Sequence, residues 1–241
     1  MCLEKQTAVE VGSDLAPRGF TRVVESELRV ETDIDDGDAP KGVKVIRSVR
    51  KVNGRAPREK DKEACYDPNP LSDEPLAFLL PEKREEYVFT WGGFGKGKEQ
   101  NLILLEFREV ARGKPEVKEH ERGRENCVSI NMPGATKGRV WIDVSTHDVV
   151  RVEERLVGPV DFVIPIAIQR KNGGFRDFLV LERNDRYVRY KAVSFDDPME
   201  TMLLPESIEE LTIARGAGSH RIKQEFSDYK RFLTGARVVK D

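Results

Sequence analysis

The sequence predicts a mainly β protein: one large, curled antiparallel sheet, a half-barrel or open barrel, with few short helices. Three observations predict it. Apolar and polar residues alternate with a period of two along most of the chain, which marks strands with one dry and one wet face. The connections between these stretches are short, which restricts neighbouring strands to antiparallel pairing. No helical period of 3.6 persists over a useful length. Wide meanders of this kind bend, and a wide sheet curls toward a barrel rather than staying flat.

The elements follow in order. Residues 1–19 are expected to be a flexible or truncated N-terminal segment, and residues 20–241 a single antiparallel β domain. Phe20, Val24, Leu28 and Val30 share one parity, and Val43, Val45 and Val49 repeat the pattern. The second run ends in Val52-Asn53-Gly54-Arg55, where Asn-Gly signals a tight turn because both central residues need positive φ. A polar, proline-rich stretch from Arg55 to Pro75 reads as a long loop, or a short helix around Arg58–Glu63.

Tyr87–Trp91 and Asn101–Phe107 flank a glycine-rich connector and predict a hairpin. Val140–Val144 and Val149–Glu153, joined through Ser145–Asp148, predict another. Phe175–Glu182 and Arg186–Phe195 read as a third, turning at Arg183-Asn184-Asp185. Ile208–Ala214 and His220–Phe232 close the chain, with Ile222, Phe226 and Phe232 on one face. The expectation is roughly ten strands, joined by short turns.

Charged residues make up 35% of the chain, above the typical ~25%. The 41 basic and 43 acidic side chains nearly cancel, and a net charge of −2 gives no reason to expect nucleic acid or an anionic membrane as partner. No apolar run approaches the ~18 residues needed to span a bilayer. The first twenty residues carry neither a basic start nor an apolar stretch, so the signal segment expected of an exported protein is missing here.

Chemistry-bearing candidates are sparse. His120, His147 and His220 share no metal-ligand spacing, and no nucleophile-elbow motif marks any serine. No metal site, cofactor or catalytic centre is therefore expected, and a hydrolase is the weakest of three readings. Gly93-Phe94-Gly95-Lys96-Gly97-Lys98 resembles a phosphate loop, but a strand rather than a helix follows it. Asp33-Ile34-Asp35-Asp36-Gly37-Asp38 lacks calcium-loop spacing, since Gly37 and Lys44 stand where oxygen ligands belong. Cys65 and Cys127 both lie in polar loops, which favours a disulfide and an oxidising compartment over two reduced thiols.

Further residues carry a resemblance. Gly138-Arg139-Val140-Trp141-Ile142-Asp143, Thr146 and Val150-Arg151-Val152-Glu153 resemble a hairpin of bacterial envelope proteins, the outer-membrane lipoprotein carrier and receptor (Lol-type) group. The chain resembles more closely an uncharacterised family of predicted secreted bacterial proteins. The matching stretches are Glu74–Pro81, Tyr87–Trp91, Cys127-Val128-Ser129 and Phe226–Phe232. The Lol-type resemblance implies an open half-barrel whose concave apolar face holds acyl chains under a lid of helices. No lid helices are visible in the sequence, and the uncharacterised family supplies no functional residue to carry over.

The expected function is a non-catalytic cell-envelope half-barrel, periplasmic or secreted, that binds a lipid-like ligand or a lipoprotein. Phe89, Trp91, Leu102, Leu104, Trp141, Phe178 and Leu203 are the candidate lining, unless they simply fill the core. The alternative is a structural or protein-interaction module that pairs through its sheet face or edge, without a small-molecule ligand.

Overall fold

The computed structural model describes residues 1–33, 42–58, 61, 65, 67, 76–95, 99–119, 127–171, 177–196 and 199–231. The strands are β1 (Cys2–Val11), β2 (Pro17–Asp33), β3 (Gly42–Val52), β4 (Tyr87–Phe94), β5 (Leu102–Glu109), β6 (Glu116–Glu119), β7 (Val128–Asn131), β8 (Thr136–Asp143), β9 (Val149–Leu156), β10 (Val160–Val163), β11 (Phe178–Asp196), β12 (Met199–Arg215) and β13 (Ser219–Ser227). Among the described residues, helical structure is limited to α1 (Ile166–Lys171) and 3-10 turns at Ala77–Leu79 and Pro81–Glu86. Eleven strands form one antiparallel sheet in the order β3-β2-β1-β13-β12-β11-β9-β8-β5-β4, with β10 alongside β11. The sheet is curled and does not close, and β6 and β7 pair separately.

The register carries one rung across the whole sheet. From the β4 edge it runs Trp91, Leu105, Val140, Val152, Val188 and Ile208. It continues through Gln224, Gln6, Val24 and Val52 to β3. Val140, Val152, Val188 and Val24 on this rung are almost fully buried. Val140, Val152 and Val188 pack into one core cluster on this face. Leu28, Phe107, Tyr190, Ile208 and Phe226 belong to the same core, and Phe78, from the first 3-10 turn, packs into it. A second core gathers Val117, Phe162, Ile164, Ile168, Leu179 and Leu181 under β6, β10 and α1.

Two sequence expectations are corrected. Residues 2–11 are not a flexible segment: they form β1, paired on both sides, with β2 and β13. Their inward positions include Glu4 and Gln6, 1% and 3% exposed, so the alternation carried little apolar signal. Glu4 is held by Arg47 (Nε to Oε2, 2.5 Å) and Gln224 (Nε2 to Oε1, 2.8 Å), which supplies the pairing a buried charge requires. Likewise, Arg183-Asn184-Asp185 is no turn. It lies inside the 19-residue β11, which pairs along its length with β12 and absorbs one irregularity between Leu181 and Arg183. Asp185 stays in the strand although nearly buried, because Arg183 forms an ion pair with it.

The other two hairpins stand as read. β4 pairs with β5, and β8 with β9 around a turn in which His147 takes φ +62°. Asn53 and Gly54 do turn with positive φ, but the turn closes only an isolated Val52–Arg55 bridge. The Asp-rich stretch falls almost wholly outside the described residues, as do His120 and Phe232.

Candidate functional site

The candidate site is the β4 edge of the inner face. Trp91 stands opposite Leu105, and Phe94 opposite Ile103, with an extra residue at Gly92–Gly93. That bulge puts Trp91 and Phe94, three apart in sequence, on the same face. The chain has reason to carry glycine there. Gly93 sits at φ +106°, and a Cβ at Gly92 would approach Leu104 Cγ to 2.8 Å. The two rings meet edge to face, with centroids 5.3 Å apart, yet remain 59% and 65% exposed. The rung that is buried across the middle of the sheet thus ends on an uncovered aromatic pair.

The seven residues expected to line a ligand surface divide between the two faces. Phe89 packs with Phe78, Tyr87 and Phe107 against the first core, and Leu203 also packs on it. Trp91 is on the inner face at its edge. Leu104 and Trp141 face each other on the outer side, where Leu102 also lies opposite Asp143. Trp141 is 6% exposed because the Arg151 guanidinium covers it, 3.8 Å from the ring centroid, while Glu99 holds that arginine at 3.0 Å. Phe178 is exposed beside Val163, away from the others. Sequence alternation identified large strand residues but not which face of the sheet each strand turns inward, because that depends on the pairing register between strands.

A strap ties the region between β3 and β4 to the sheet. Arg55 grips Asp61 in a bidentate pair, at 2.5 and 2.7 Å. Asp67 receives both Nε and Nη2 of Arg22, at 2.7 and 2.6 Å, in a largely buried pair. Cys65 and Cys127 form a disulfide. Phe78 then enters the core, its ring centroid 4.6 Å from that of Phe107.

Several groups titrate abnormally. Burial pushes the Cys2 thiol up to about 11, although the nearby N-terminal ammonium pulls the other way. Tyr87 is pushed up to about 12, by burial first and then by Glu109 and Glu154. Burial also raises Glu154 against the opposing pull of Arg186, and it lowers His220 against that of Glu210. These shifts follow from enclosure in the sheet. Among the described residues, no group of three or more His, Cys, Asp or Glu side chains is placed to hold a metal, and no helix is long and apolar enough to cross a membrane.

The fold and these surfaces define an open β half-barrel built on one large sheet, with a packed inner face and a disulfide strap. No family model, curated protein or solved structure matches this chain.

Proposed function

We propose that the protein is a non-catalytic binding module of the cell envelope, which takes an apolar chain against its inner face at the β4 edge. The ligand is lipid-like, free or carried by a lipoprotein. The observation that supports this reading is the uncovered Trp91–Phe94 pair, continuous through Leu105 with the core. Water-exposed aromatic area is a reservoir of binding free energy, worth about 25 cal/mol per Å2 once covered. Each methylene of a bound chain adds ~0.8 kcal/mol. The disulfide fits an oxidising compartment, periplasmic or extracellular. The resemblance to Lol-type carriers points the same way.

The chain has two tryptophans, of which Trp91 is exposed and Trp141 buried, so emission reports on the site. Uptake of an apolar naphthylamine dye should shift Trp91 emission to the blue, and lipid should co-purify by mass spectrometry. The Trp91→Ala/Phe94→Ala double variant should lose uptake. A folded protein that carries no lipid and takes no dye, or a double variant that binds as well, overturns the reading.

A second reading has its own observation. Among the described residues, the sheet ends in two strands, β3 and β4, each paired on one side only. Such edges offer backbone donors and acceptors to another chain. A stable, lipid-free oligomer in analytical ultracentrifugation would favour this reading over ligand binding.

A further inference from the structure

The outer face carries a feature that net charge conceals. Arg108 on β5 stands directly opposite Lys137 on β8, and Lys137 directly opposite Arg155 on β9. Three cations therefore form one rung across three adjacent strands. Like charges facing each other across a sheet destabilise it. The next rung toward the hairpin tip does the reverse: Glu106, Arg139 and Glu153 alternate in sign, and Arg139 Nε lies 3.3 Å from Glu106 Oε1. Two neighbouring rungs of one face thus follow opposite charge rules. Among the described residues, Arg108, Lys137 and Arg155 form no ion pair.

This rung lines a groove of about 630 Å3, together with Val88, Val110 and Gly134. Two carboxylates also reach the groove, and both are engaged. Glu106 is held by Arg139, and Glu109 accepts the Thr136 amide at 3.3 Å. The uncompensated charge belongs to the three-cation rung.

We propose that this groove is a binding site for a phosphate-type anion bearing at least two negative charges. Strands lie about 4.8 Å apart, so the rung offers cationic heads over about 10 Å, more than a single carboxylate can span. Two arginine forks flanking one lysine suit phosphate oxygens, which accept bidentate, charge-assisted hydrogen bonds. The repulsion built into the rung is relieved when an anion binds. The site lies on the face opposite Trp91 and stands independently of the apolar-ligand reading.

The decisive variant is Lys137→Glu, which extends to this rung the alternation already present on the next. In the folded full chain at low salt, calorimetric titration with pyrophosphate should give saturable binding. Lys137→Glu should weaken it about tenfold or more, as expected when a charge-assisted contact becomes a like-charge one. The same change should raise Tm by roughly 1–5 °C without ligand, because two repulsive cross-strand pairs become attractive. Arg155→Gln should also weaken binding, while Arg29→Gln on distant β2 leaves it unchanged. Flotation with phosphatidylglycerol vesicles against phosphatidylcholine vesicles separates the sources. Selective flotation lost in Lys137→Glu assigns a lipid headgroup, and pyrophosphate binding without flotation assigns a soluble phosphate. The proposal falls if neither probe binds, if binding survives Lys137→Glu, or if that variant melts lower than the parent. Binding of polyglutamate without either phosphate probe also overturns it, in favour of an acidic protein segment.

Discussion

Truncating Phe78 to alanine tests whether the strap is part of the core or merely lies over it. The Phe78 ring is 7% exposed and meets three other rings, with centroids 4.6 Å from Phe107, 5.7 Å from Tyr87 and 6.4 Å from Phe89. Removing a phenylalanine from such surroundings costs about 3–5 kcal/mol, the lost transfer free energy plus the void left behind. For a domain of this size that corresponds to a fall in Tm of roughly 6–20 °C. Urea titration followed by near-ultraviolet circular dichroism should show the midpoint falling at unchanged slope, because the variant loses stability without altering the surface exposed on unfolding. Leu80, two residues on and 43% exposed, is the internal control; Leu80→Ala should stay within about 0.5 kcal/mol of the parent. A loss below ~1 kcal/mol for Phe78→Ala would refute the account of the strap as a core element.

Three other perturbations have definite expectations. Replacing Cys65 and Cys127 by alanine opens a loop of 62 residues and should lower stability by about 4 kcal/mol on the chain-entropy argument; thiol titration should count none in the native protein, one after unfolding without reductant, and three after reduction, because Cys2 is buried. Gly138→Ala should cost about 1–3 kcal/mol by overpacking, since the new Cβ would fall 2.5 Å from Phe107 Cζ, and a melting temperature equal to the parent's would contradict that close approach. His220, lowered by burial from its ordinary 6.5, binds its proton more readily in the unfolded chain, so stability should fall as pH drops below about 6.5. Glu154, raised from 4.5, acts with the opposite sign as pH climbs above that value, so the readout is the difference between parent and His220→Gln, which should be less sensitive to acid between pH 6.5 and 5.

Much of the sheet was legible because period-two alternation is a direct consequence of strand geometry. The β4–β5 and β8–β9 hairpins follow from it, together with the turn chemistry between them. Where buried positions are polar, the same rule loses its signal. Glu4 and Gln6 face the core of β1, so the strand looked like a tail. Arg183-Asn184-Asp185 has the composition of a turn, but long pairing with β12 outweighs local preference and keeps the segment extended. The candidate surfaces were less legible still. Trp91 could be picked out as a large strand residue, but its pairing with Phe94 depends on a bulge. The cationic rung depends on register alone: Arg108, Lys137 and Arg155 are far apart in sequence, and a net charge of −2 conveys nothing about how cations line up across strands.

Strand β1 docks between β2 and β13, and the Glu4–Gln224 bond joins residues 220 positions apart. At ribosomal speeds of about 5–20 residues per second, β1 waits roughly 10–40 s for that partner to be made. During this interval the nascent β1–β3 meander keeps an open flank, and the sheet cannot be completed. A chain with so late a last step leaves that flank's backbone groups open to mispairing for the whole of its synthesis.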